Sequence, residues 1–150
     1  MLKHILVPVD GTDYSWRALD YAAGLAALSE GELFIVTIMR EEGEPIGGVP
    51  LRSPEELEQD NSEETAVMQT GNEVLDVART IMAARPNIRC HYLLINGDYI
   101  SSLILEAQFD WECDAIVIGS RGLSRFKGFW KNSVSASVVR MAQVPVIVVK

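Results

Sequence analysis

Gly119-Ser120-Arg121-Gly122 follows the apolar run Ala115 to Ile118. Glycines let a backbone turn tightly and bring its N–H groups close to an anion. After nine intervening residues, Asn132-Ser133-Val134-Ser135 opens a helical pattern. A helix N-terminus carries unpaired N–H groups and a partial positive charge. The hydroxyls of Ser133 and Ser135 would add donors. Together the two segments could form a phosphate cradle. The same residues also read as a glycine turn followed by an ordinary serine cap. Arg121, Arg125, Lys127 and Lys131 make this stretch locally positive in a chain of net charge -8. Phe126, Phe129 and Trp130 could cover it as an apolar flap.

Asp10 closes the first apolar run, Ile5 to Val9. A carboxylate beside phosphates repels them unless it takes a ribose hydroxyl, an adenine amine or a metal ion. It reads equally as the turn aspartate of Asp10-Gly11-Thr12-Asp13, where Thr12 or Asp13 caps the next helix. Pro8 and Val9 could offer apolar contact or backbone groups to a base. Other chemistries lack their residues. The chain has no P-loop pattern, no G-x-G-x-x-G after a strand and no G-x-S-x-G elbow. His4 and His91 lie in strand-like runs without metal-ligand spacing and read as structural. Cys90 and Cys113 form no C-x-x-C and read as buried thiols of a reducing compartment. Trp111 reads as a packing residue.

These residues need a scaffold, and the periodicity supplies one. Strands are expected over Ile5–Val9, Leu33–Met39, Ile88–Ile95, Asp114–Ile118 and Val144–Val149. Pro8 inside the first is tolerable only near its end. Helical patterns run from Tyr14 to Ser29, Glu64 to Ala84, after Asn96-Gly97-Asp98, and from Ser133 to Ala142. Leu19, Ala22, Ala23, Ala26 and Ala27 should face the core in the first, with Gly31 as its C′ glycine. In the second, Met68, Val74, Leu75, Ala78, Ile81 and Met82 should do so; in the third, Leu103, Ile104 and Ala107. Arg40 to Glu64 is a polar, acidic connection in which Ser53-Pro54-Glu55-Glu56 could start a short helix. Strict β–α alternation with near-continuous apolar strands implies an open parallel sheet with helices on both faces. In such a sheet ligands sit beyond the carboxyl ends of the strands, where strand order reverses. That selects the loops after Val9, Met39, Ile95 and Ile118, and polar and glycine residues concentrate after the first and last.

The totals fit one domain: 150 residues, of which 48% are hydrophobic. No apolar run approaches the ~18 residues of a membrane helix. The N-terminus enters a strand directly, which leaves no room for a signal peptide, so a cytoplasmic protein is expected. The acidic balance argues against a nucleic-acid surface.

At this point the chain resembles the universal stress protein family. The resemblance rests on Ile5-Leu6-Val7-Pro8-Val9-Asp10-Gly11-Thr12, Gly97-Asp98, Ala115 to Ser124, Ser133-Val134-Ser135 and Val144-Pro145-Val146-Ile147-Val148-Val149. It implies a Rossmann-like, adenine-nucleotide α-hydrolase-like fold of five parallel strands in the order 3-2-1-4-5, often dimeric through the last strand. It also implies a site for ATP, with or without Mg²⁺. Pro8, Val9, Asp10, Thr12, Ile38 and Ile118 would surround adenine and ribose. Gly119, Ser120, Arg121, Gly122, Asn132, Ser133, Val134 and Ser135 would hold phosphates. The family's ATP pattern is Gly, two residues, Gly, nine residues, then Gly and Ser or Thr. Gly119, Gly122 and Ser133 match it, while Asn132 stands where the third glycine is expected and Lys131 replaces an apolar residue. Three functions follow: a nucleotide-binding stress-response module with little or no turnover, a member that has lost ATP and acts as a dimeric interaction protein, and a slow ATPase for which no base can be assigned.

Overall fold

The computed structural model describes residues 1–39, 71–120 and 134–150. The 40–64 connection with its Ser53 capping box, Met68 and the start of the second helix lie outside the described residues. So do Arg121, Gly122, Asn132, Ser133, and the basic and aromatic residues between them.

Five strands form one parallel sheet: β1 (His4–Pro8), β2 (Glu32–Met39), β3 (Cys90–Asn96), β4 (Ala115–Gly119) and β5 (Val146–Val149). Their order is β3-β2-β1-β4-β5, the order that the resemblance implies. Four helices are described: α1 (Asp13–Ser29), α2 (Gly71–Met82), α3 (Ile100–Asp110) and α4 (Val134–Met141). Because strand side chains alternate, each strand feeds two cores. Ile5, Val7, Leu33, Ile35 and Val117 meet α1 and α2 on one face. Leu6, Val36, Ile116 and Ile118 meet Ile104 and Ala107 of α3 and Val138 of α4 on the other. Pro8 is the last residue of β1, where its missing N–H breaks no ladder.

Three details differ from the sequence expectations. The left-handed residue that ends α1 is Glu30, at φ 53°, not Gly31. The N–H of Gly31 donates to the Ala26 carbonyl at 2.9 Å, which ends the helix one residue earlier than a C′ glycine would. Gly31 is required for another reason: a Cβ there would lie 2.5 Å from the Leu2 carbonyl oxygen. Ala27 is exposed beside Leu28, because the core stripe of α1 ends at Ala26 and each further residue turns away from the sheet. Strand β3 starts at Cys90, since the Ile88 N–H is taken by the Arg85 carbonyl in a turn.

The amino ends of β1 and β4 are pinned together by Asp114. Its Oδ2 accepts the backbone N–H of Lys3 at 2.6 Å and of His4 at 2.9 Å. Burial pushes this carboxyl up, but the two backbone donors outweigh it and hold Asp114 below its ordinary value. A depressed carboxylate stabilises the fold above its unfolded pKa of about 4 and loses that contribution as pH falls through its folded value. We expect Asp114→Asn to lower stability by about 1 kcal/mol near neutral pH, a figure discounted for its exposure. Urea unfolding measured against pH should show the gap from wild type closing below about pH 4. A gap independent of pH would mean that the charge plays no part.

Candidate functional site

Strand order reverses between β1 and β4, so the crevice beyond their carboxyl ends is the fold's natural ligand position. Strands β1 and β4 pair at Ile5–Ala115 and Leu6–Ile116. Helix α1 starts from this edge after β1, and α4 starts from it on the way from β4 to β5. The positive end of α1 therefore lies at the loop that carries Asp10, and the end of β4 rests against its first turn.

The residues after β1 are tied into a ring. Asp10 Oδ1 accepts both the backbone N–H of Thr12 at 2.9 Å and its hydroxyl at 2.6 Å. The Thr12 hydroxyl oxygen caps α1 by accepting the Ser15 N–H at 3.3 Å. Ser15 Oγ accepts the Asp10 N–H at 3.3 Å and donates to the Thr12 carbonyl at 2.8 Å. Asp10 is thus both the turn aspartate and a carboxylate at the ligand edge. Gly11 completes the turn at φ 88°, a left-handed value that favours glycine.

Val9 is 3% exposed and packs in the α1–α2 core. Its N–H donates to the Val36 carbonyl at 2.8 Å, and its carbonyl accepts the Thr37 hydroxyl. Ile38 and Ile118, by contrast, share the other face with Val134. The structure therefore places Ile38, Ile118 and Val134 on one side of the sheet and the Val9 side chain on the other. Pro8 is half-buried at the strand's end, and Ser135 is half-buried in the first turn of α4. The Ser120 N–H donates to the Val149 carbonyl at 2.7 Å, which fixes the start of the β4 loop on the edge strand.

Gly119 has a packing role that spacing did not reveal. A Cβ there would lie 2.5 Å from the Tyr14 carbonyl oxygen and 2.9 Å from the Ser15 nitrogen. The end of β4 therefore rests directly on the first turn of α1. Ser15, Thr37 and the Tyr14 backbone were not among the expected site residues. The Asp-x-Thr-x-x-Ser spacing from Asp10 to Ser15 is a legible local signal for the first; Thr37 and Tyr14 act through contacts distant in sequence.

Elsewhere the chemistry is structural. His91 stacks on Phe34 with ring centroids 4.5 Å apart and pairs with Glu32 at 2.8 Å. His4 tilts against the same ring at 5.1 Å. Cys113 is buried and Cys90 half-buried, both unbridged. Burial, with the Asp114 charge beside it, pushes the Cys113 thiol up to about 12, and burial raises Cys90 despite a hydrogen bond with Tyr92. Protonated thiols are poor nucleophiles at neutral pH. A shallow depression of about 350 Å³ lies after β3, lined by Gly97, Asp98, Tyr99, Ser102, Leu103 and Glu106. It stands two strands from β1, roughly 10 Å by the usual strand spacing, and its two carboxylates disfavour an anion. The edge between β1 and β4 is the better site on both counts.

A parallel sheet with this order and a polar crevice at its switch point defines a Rossmann-like α/β protein. The family model described as the universal stress protein family matches residues 1–150, and the chain belongs to that family. It is 30% identical to the universal stress protein YxiE of Bacillus subtilis, over 100% of each chain. A universal stress protein solved in complex with cAMP is 26% identical with a TM-score of 0.72, covering 99% of this chain and 97% of the other. One from Archaeoglobus fulgidus, solved in complex with dAMP, is 25% identical with a TM-score of 0.66 over 100% of both chains.

The contact at Gly119 is testable. Gly119→Ala should destabilise the fold by about 1–3 kcal/mol, the cost of overpacking against atoms that cannot swing aside. Denaturant unfolding measures it. A change below about 0.5 kcal/mol, the size of an ordinary surface substitution, would mean that β4 and α1 separate freely.

Proposed function

We propose that this chain is a stress-response module that binds an adenine nucleotide, ATP, at the carboxyl edge between β1 and β4, with little or no turnover. The observation that carries the reading is Asp10, held by Thr12 at the switch point, where the glycine end of β4 rests on the first turn of α1. Pro8, Ile38 and Ile118 would line the base, and Asp10 would take a donor from the adenine or ribose. The start of α4, with Ser135, would face the phosphates together with Gly122, Asn132 and Ser133. Relatives solved with cAMP and dAMP support adenine as the base. Any Mg²⁺ would arrive with the phosphates. Little turnover is proposed because the sequence offers no assignable base or arginine finger. Calorimetric titration of nucleotide-free protein with ATP and Mg²⁺ should give saturable heat. No heat at millimolar ATP rejects the reading in favour of an interaction protein without nucleotide.

One observation favours that second role alongside the first. Strand β5 is a sheet edge, and Val148 on it is 40% exposed. An unpaired edge strand is a template for another chain. We propose a homodimer through Val144–Val149. Sedimentation should find a dimer that Val148→Lys converts to monomer; a monomeric wild type at micromolar concentration contradicts it.

A further inference from the structure

Asp10 does not meet the crevice as a free carboxylate. Both hydrogen bonds from Thr12 fall on Oδ1, and among the described residues no hydrogen bond reaches Oδ2. The Thr12 hydroxyl is held in turn, because its oxygen receives the Ser15 N–H. Ser15 is 4% exposed, and its hydroxyl both accepts from Asp10 and donates to Thr12. The peptide between Tyr14 and Ser15 is pressed against Gly119. Rotating the carboxylate would break two bonds at once, and shifting the ring would drive it into β4.

We infer that Thr12, supported by Ser15, is a positioning residue that commits Oδ1 internally and presents Oδ2 alone to the ligand. This rests on the reading of the edge as an adenine-nucleotide site. A single oriented acceptor suits one hydroxyl or amine donor and cannot grip a cation through both oxygens. The ligand has two groups of that kind, the ribose hydroxyls and the adenine amine. Both cAMP and dAMP keep the amine and one ribose hydroxyl, so removing a single hydroxyl discriminates little. The informative probes are 2′,3′-dideoxy-ATP, which lacks both hydroxyls, and inosine triphosphate, which lacks the amine.

The test measures Kd for ATP and both probes in the full chain, in Thr12→Val and in Thr12→Ser. Wild type should prefer ATP over one probe by about tenfold, the size of a hydrogen bond to a charged acceptor. Which probe suffers identifies the donor. In Thr12→Val the preference should shrink to about twofold or less, and Thr12→Ser should restore it. Equal weakening of all three ligands would mean that Thr12 acts only as a helix cap, and it overturns the inference, as does an unchanged preference. If Thr12→Val does not fold, Ser15→Ala loosens the same ring and carries the same expectation. A nucleotide-free unfolding cycle with Asp10→Ala, Thr12→Val and the double variant separates the two layers. Non-additive losses without ATP binding by wild type reject the nucleotide reading and leave the oriented carboxylate standing. Additive losses reject the positioning itself.

Discussion

Strand β1 has a strand on each side and helices over both faces, and Ile5, Leu6 and Val7 are wholly buried. A backbone so enclosed must pair every N–H and C=O with its neighbours. Its polar freedom is confined to its two ends. Because all five strands run parallel, their carboxyl ends collect on one edge, and the crossover helices that follow must begin there. The positive end of α1 at the β1–β4 edge is thus a consequence of the parallel order. A crevice of that kind exists before any residue in it is chosen for a ligand.

The two ends of the β1–β4 pair are held by different physics. At the amino end, the Asp114 carboxylate gathers two backbone donors of β1. At the carboxyl end, contact between β4 and α1 is made by the absence of a side chain at Gly119. The first device depends on charge and hence on pH; the second depends on volume. Nearby ion pairs add little to either. Glu32 is held below its ordinary value, chiefly by its hydrogen bond from His91 against some burial, with Arg89 adding to the charge. That pair and the Arg79–Asp76 pair lie on the surface, where water screens them.

Packing and chemistry share residues at the ligand edge. Gly119 is a glycine because α1 needs the space, which is sufficient reason without any phosphate. Thr12 caps a helix and also fixes the carboxylate that would meet a ligand. A substitution at either position changes the scaffold together with the site, so stability and affinity must be read side by side.

Alternation of apolar runs with 3.6-residue patterns was enough to read the number of strands and the parallel sheet with helices on both faces. The motifs that carry the family resemblance brought its strand order with them. Local signals were also enough for Asp10 as a turn residue and for a cap at Thr12 or Asp13, between which the structure chooses Thr12, since these bonds span only a few residues. What sequence could not decide was set by contacts between distant segments. The need for glycine at 31 comes from how closely the chain passes Leu2, not from a left-handed turn, which Glu30 takes. Val9 and Ile38 both looked able to face a base, and only the register puts their side chains on opposite faces of the sheet. The need for glycine at 119 comes from a helix turn more than 100 residues earlier in the chain. Periodicity carries the direction in which a side chain points within its own element. It carries nothing about which atoms another element will bring within 3 Å, and that distance decides why Gly119 has no side chain.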